Sequence, residues 1–369
     1  MHIPEFQQIA TVGERRLVGG PATQSLLPLK YGWLYNIYKK GRNNFWLPEE
    51  VGMGEDKLQY ATLEPNLRHQ YDWLFSMLTT LDEVVTEAVG ADIMPHATAP
   101  EFRQWLALQC FQEAVHTDSY TMMAEEIGLD PDEVFTRYLQ EKPLYDKIEM
   151  AGKYAGRLAG LKTETPEQIE EFLCAYAFFP LILEGLWFYM GLSAGTYPSR
   201  FARKMLGTSD QFQFIRRDEQ LHYNVGLDVI MAILRENPEV NRQRVGEALL
   251  DMAYEGMLLE EKFAKATYRD LPGMSAEAYI EHCRFQMKTN LFKLGLVGAD
   301  YEKSTPALPW ISETVDLKRE GNFFERRVTE YQVSADLFGP EDPAVSNPSP
   351  EGLGWDDPMA NFKKGNKDG

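Results

Sequence analysis

The stretch Glu113-Ala114-Val115-His116 is echoed later in the chain by Glu219-Gln220-Leu221-His222. On a helix, positions i and i+3 share a face. Each copy therefore presents a carboxylate beside an imidazole. Two such helices, with one carboxylate from each of two others, make the inward-pointing dimetal site of a four-helix bundle. The other histidines lack the pattern: Asn66, Ile93 and Tyr279 stand three residues before His69, His96 and His282. One Glu-x-x-His is more often a solvated helix face than a ligand pair. The duplication is what narrows the fold.

The rest of the chain reads as helices that can carry such a site. A helical pattern runs from Pro65 to Val89, with Gly90 as its stop. Its stripe of Leu74, Leu78, Asp82 and Val85 puts an Asp among core residues, and a buried carboxylate needs a partner. Thr98, Pro100 and Glu101 signal a second helix start. That helix runs to Ile127, ends at Gly128, and carries Glu113 and His116. Residues 130–162 read as shorter helical pieces. Thr165-Pro166-Glu167-Gln168 opens a third long helix, reaching Ala194. A fourth, Ser199 to Leu234, places Ile215, Glu219, His222 and Gly226 on one face. Helices near 239–269 and 276–297 follow, and no stretch is rich in strand signals.

The third helix is almost wholly apolar from Phe172 to Gly195, with Glu184 its single charge. A membrane span is the obvious alternative. The central Glu, the internal Pro180 and the acidic flank of Glu167, Glu170 and Glu171 argue against it. A helix apolar all round is more simply the middle of a large bundle. Helical spacing puts Ala177, Leu181, Glu184, Phe188 and Leu192 on one face. Glu184 then lies in the core, where a cation must compensate it.

Residues 1–60, rich in Gly and Pro, read as an irregular segment packing on the bundle, with a short helix around Leu34–Lys40. Residues 61–305 form the helical domain. Residues 306–369 lose periodicity, and from Pro340 the composition is that of a disordered tail. The net charge of −19 argues against nucleic acid, whose phosphates need Lys and Arg. Cys110, Cys174 and Cys283 show no metal spacing and leave one unpaired, which suits a reducing cytoplasm. The N-terminus shows neither the basic nor the apolar region of a signal peptide.

The candidate ligands are thus Asp82, Glu113, His116, Glu184, Glu219 and His222. Their four carboxylates balance the charge of two divalent ions. Mixed carboxylate and imidazole donors suit iron or manganese, whereas thiolates would indicate zinc. The fold class is all-α, a ferritin-like bundle. Tyr120, four residues after His116 and seven after Glu113, falls on the same face. A Tyr there is more often core filler. Walled by Phe188, Leu192 and Ile215, it also meets the requirements of a protected tyrosyl radical.

As a set these residues resemble the small, radical-generating subunit of class I ribonucleotide reductase. The resemblance is carried by Asn44–Glu50, Asp82, Glu113–Tyr120, Glu184 with Phe188, Arg217–His222 and Asn322–Tyr331, spanning most of the chain. It implies a ferritin-like homodimer with all six ligands as named. It implies a dimetal centre that reacts with O2 and stores an oxidising equivalent, often on the Tyr at position 120. It also implies passage of that equivalent to a separate large catalytic subunit, where ribonucleotides are reduced. The implied route uses Trp46, Asp218, His116 and the tail residue Tyr331. Taken singly, Trp46 reads as packing, Asp218 as a solvated charge and Tyr331 as a loop residue.

Residues 113–120 and 322–331 also resemble the manganese/iron branch of the family. That branch characteristically has Phe at the radical position and Glu as first ligand. Tyr120 and Asp82 favour two Fe, with Mn/Fe or Mn/Mn as the alternative. The stretch Trp355–Phe362 resembles a docking tail, but a lysine-containing terminus follows it. A competing expectation is an O2-activating oxidase or monooxygenase on the same fold, which gives Tyr331 no role. Metal storage needs neither Trp46 nor the long tail.

Overall fold

The structure is a computed structural model and describes residues 11–21, 25–269, 271–298 and 305–316. Among these the fold is all helical, with two isolated β-bridges, Val18 to Ala97 and Leu271 to Met274. Tyr331 and Trp355–Phe362 lie outside the described residues.

Four elements surround the centre. Pro65–Glu87 packs along Pro100–Ile127, and the helical segment Phe179–Phe188 packs along Leu206–Glu236. Arg242–Thr267 and Ala276–Lys293 pair with each other and cover Phe179–Phe188 from outside. Gly32–Asn43, longer at both ends than its sequence suggests, lies against Pro100–Ile127.

Local chemistry explains several boundaries. Gly128 adopts φ +79°, the left-handed C-terminal stop that glycine permits without strain. Thr165 accepts from the Gln168 amide while Gln168 reaches back, a capping box that opens Pro166–Tyr176. Gly90 does not stop the first long helix. The chain continues through it as a π-helical turn, Ala88–Ile93, then a 3₁₀ turn, Met94–His96. The helix expected from Ser199 begins instead at Leu206. Arg203 and Met205 adopt φ of +52° and +56°, which break the helical path behind the short helix Tyr197–Ala202. Beyond Pro306, Pro309–Asp316 forms a helix whose Ile311 carbonyl accepts from Arg216 at 2.9 Å.

The largest departure is functional in its placement. Phe179–Phe188 is π-helical, so α-helical spacing fails across it. Pro180, at its start, has no N–H for the regular ladder. Further along, the Gly185 carbonyl accepts side-chain donors, Asn290 Nδ2 at 2.9 Å and Gln286 Nε2 at 3.3 Å. Gly226 lets this segment approach Leu206–Glu236 closely: a Cβ there would stand 2.3 Å from Pro180 Cβ. Within Pro166–Ala202, the one described stretch long and apolar enough to cross a membrane, the most apolar 18-residue window is wholly buried in the core.

Candidate dimetal centre

All six sequence-predicted ligands are buried. Asp82 comes from Pro65–Glu87, Glu113 and His116 from Pro100–Ile127, Glu184 from the π segment, and Glu219 and His222 from Leu206–Glu236. They form two overlapping groups: Asp82, Glu113, His116, Glu219 and Glu113, Glu184, Glu219, His222. Within each, donor atoms lie within 4.8 Å of one another. Glu113 and Glu219 belong to both groups, so two ions held there would share these two carboxylates. Both imidazoles turn Nδ1 inward. His116 Nδ1 is 3.1 Å from Glu113 and 2.9 Å from Glu219; His222 Nδ1 is 3.0 Å from Glu113 and 3.5 Å from Glu219.

The donor set fits metal. Both Asp82 oxygens, both Glu219 oxygens, Glu113 Oε1, Glu184 Oε2 and His222 Nδ1 are buried and close no hydrogen bond. Carboxylates left so cost several kcal/mol each unless charge compensates them. Two divalent ions would cancel the four negative charges.

Burial and then the charges of Glu219 and Glu113 push Asp82 well above the ordinary carboxylate range. Burial does the same for Glu184. Burial would also raise Glu113, but the His222 charge beside it and the hydrogen bond to His116 hold it down to about 2. Burial disfavours charge on the histidines. Even so, the facing carboxylates of Asp218, Glu113 and Glu219 raise His116, and those of Glu113 and Glu219 raise His222.

A pH dependence follows. Groups whose folded pKa is raised add stability below their unfolded pKa and lose it as pH rises through the folded one. Asp82, Glu184, His116 and His222 all have this sign. Glu113 has the opposite sign, and its contribution is constant above its ordinary value of 4.5. The metal-free protein is therefore expected to melt lower at high than at neutral pH. Metal must displace these protons, so affinity should rise with pH. Calorimetric titration with Mn(II) in buffers of different ionisation enthalpy measures the protons released. Binding without proton release would contradict this charge assignment.

Outside the ligands, Trp46 Nε1 donates to Asp218 Oδ2 at 2.8 Å, and the same oxygen lies 3.6 Å from His116 Nε2. Arg217 Nε donates to Asp218 Oδ1 at 3.2 Å, and its guanidinium also holds the Asn44 carbonyl. Phe214 stacks on Trp46 with ring centroids 5.2 Å apart. Burial opposes charge on Asp218, but His116 and Arg217 hold its pKa below normal.

Tyr120 is fully buried and its hydroxyl closes no hydrogen bond. Burial and the neighbouring Asp82 charge raise the phenol well above its usual value. Phe188, Leu192 and Ile215 are all completely buried. The ring found beside Tyr120 is Phe212, with centroids 6.5 Å apart, which sequence reasoning missed.

Two glutamines were also missed. Gln109 Nε2 donates to Glu184 Oε1 at 2.7 Å, and Gln112 Oε1 lies 3.0 Å from His222 Nε2. Their signal was present: Gln109 stands four before Glu113, and Gln112 four before His116.

Comparison with known proteins agrees with this geometry. The family described as ribonucleotide reductase, small chain, matches residues 23–303. The subunit beta of ribonucleoside-diphosphate reductase from Chlamydia pneumoniae is 33% identical over 317 residues, covering 85% of this chain and 91% of the relative. The ribonucleotide reductase R2 subunit from Clostridium botulinum superposes with a TM-score of 0.75 at 25% identity, covering 85% of this chain and 97% of that one. An R2-like ligand-binding oxidase with a reconstituted Mn/Fe cofactor shares the fold at TM-score 0.56 and 15% identity, covering 80% of this chain and 94% of that one.

Proposed function

The chain belongs to the ribonucleotide reductase small-chain family, class I, and we propose that it generates and holds the radical that a separate large subunit uses. The observation that carries this reading is one buried cluster with both Tyr120 and the Asp218–Trp46 pair beside it.

Asp82, Glu113, His116, Glu184, Glu219 and His222 are the proposed ligands of two ions, with iron favoured over Mn/Fe or Mn/Mn because Tyr120 accompanies Asp82. Two such ions, once bound, supply an oxidising equivalent drawn from O2. The chain's own residues do the rest. Tyr120 gives up an electron and a proton, and the Asp82 carboxylate beside it takes the proton. Phe188, Leu192, Ile215 and Phe212 exclude water and reductants from the product. His116, Asp218 and Trp46 form a contiguous polar path away from the cluster. Tyr331, outside the described residues, is proposed to continue that path to the large subunit.

On this reading the protein works as a cytoplasmic homodimer. It forms deoxyribonucleotides only with its large catalytic subunit, and the relatives' names point to ribonucleoside diphosphates as substrates.

The ligand assignment is tested by Glu184→Ala. The variant removes a carboxylate held in the core and partnered by Gln109. It is expected to lose most occupancy at one ion position, with affinity there down by about 10- to 100-fold. Metal analysis after dialysis reads the outcome. Two tightly held ions per chain in the variant would refute the assignment.

A further inference from the structure

His222 reaches the cluster through Nδ1, so its other nitrogen must be held for the ring to stay in place. Metal-ligating histidines gain orientation and basicity from the acceptor behind them. Behind His116 stands a carboxylate, Asp218, 3.6 Å from Nε2. Behind His222 it is the neutral carbonyl of Gln112, at 3.0 Å and 5% exposed. Trp105 meets the His222 ring nearly edge-on at 6.0 Å, but its indole nitrogen is a donor and cannot serve as acceptor.

Gln112 has a second side. It lines a cavity of about 130 Å³ that Trp46, Phe45, Phe111, Val115 and Asp218 also line. Phe45 and Phe111, at its rim, are half exposed and stack with centroids 6.1 Å apart. Gln109, three residues earlier, holds Glu184 from the other end of its amide, donating through Nε2 at 2.7 Å. The group Glu113, Glu184, Glu219, His222 is thus backed by two neutral amides, and the group containing His116 by a carboxylate.

We propose that Gln112 is a positioning residue: its carbonyl accepts from His222 Nε2–H, keeps Nδ1 free as a ligand, and so sets affinity at one ion position alone. This rests on the dimetal reading above. A glutamine carbonyl only accepts, so the proton is assigned to Nε2 and the lone pair to Nδ1. Without the acceptor the ring is free to turn or to carry its proton on Nδ1, and a coordinating nitrogen is lost.

The test titrates full-length, metal-free protein with Mn(II) under anaerobic conditions, followed by calorimetry and by the electron paramagnetic resonance of bound Mn(II). The parent is expected to bind two ions per chain. Gln112→Leu, similar in size but without an acceptor, should bind one ion as the parent does and the other about 10- to 100-fold more weakly. Gln112→Glu restores an acceptor and should recover the second ion to within a few-fold of the parent. The melting temperature of each metal-free variant separates this from a folding defect. If Leu crowds the site and lowers it, Gln112→Met supplies the same deletion in a flexible side chain. Parental binding of both ions by a folded Leu or Met variant overturns the assignment. So does a folded Gln112→Glu protein as impaired as Leu, since the acceptor would then not be what matters. A parent that takes up no pair of ions sinks the dimetal reading itself, and this inference with it.

Discussion

Tyr120→Phe is expected to bind both ions normally and to show no tyrosyl signal by electron paramagnetic resonance after iron loading and exposure to O2. Turnover with the large subunit should fall by at least about a thousandfold, equivalent to about 4 kcal/mol of barrier. The parent phenol is fully buried and raised well above its ordinary pKa by burial and by Asp82, so it stays protonated. Its oxidation must therefore release a proton together with the electron, and Asp82 is the base beside it. Phe keeps the ring and its packing against Phe212 but offers no proton to lose. The substitution should cost little stability, because the hydroxyl it deletes closes no hydrogen bond. Thermal melting of the metal-free variant should match the parent or exceed it slightly. Turnover near the parental rate would place the oxidising equivalent on the ions, as expected for manganese, and leave the family assignment intact.

The features that make the site legible are those that repeat with helical period. The two Glu-x-x-His pairs, Asp82 in an apolar stripe and Glu184 in an apolar run each conflict with burial unless a cation resolves them. All six residues stand in one cluster. What escapes a sequence reading has physical reasons. Gly90 reads as a stop because glycine weakens helices, yet packing carries the chain through it in a π turn. The π-helical segment breaks the spacing that assigns Glu184 a face, and nothing in residue order announces i→i+5 pairing. Its burial, rather than its register, gives Glu184 away. Gln109 and Gln112 share a helix with ligands, but neutral side chains in a core create no charge conflict, and only three dimensions show what they hold. Phe212 lies far from Tyr120 in sequence, so no local pattern pairs them.

Asp218→Asn is expected to separate making the radical from delivering it. In the parent, one carboxylate oxygen accepts from Trp46 at 2.8 Å and lies 3.6 Å from His116, while the other accepts from Arg217 at 3.2 Å. A carboxylate accepts on both oxygens; an amide accepts on one side and donates on the other. The substituted amide would have to turn its NH2 toward either Arg217 or the Trp46 and His116 donors. One contact then becomes donor against donor at a position with no solvent to relieve it. Removing the negative charge also leaves the Arg217 guanidinium, which holds the Asn44 carbonyl beside the Trp46 loop, without its ion pair. His116 loses the facing carboxylate that raises its pKa, so affinity at its ion position should fall by about tenfold. Saturating metal compensates that loss, and the Tyr120 signal should then form to nearly the parental extent. Turnover with the large subunit should still drop by about 100- to 1000-fold, the equivalent of about 3–4 kcal/mol. The drop reflects a broken contact between His116 and Trp46, since neither residue is changed. Trp46→Phe, which removes the indole donor and leaves Asp218 charged, should reproduce the turnover loss without the tenfold cost in metal affinity. Parental turnover by metal-saturated Asp218→Asn would show that the equivalent leaves the cluster by another route, and that the Trp46–Asp218 hydrogen bond only fastens the N-terminal segment to the bundle.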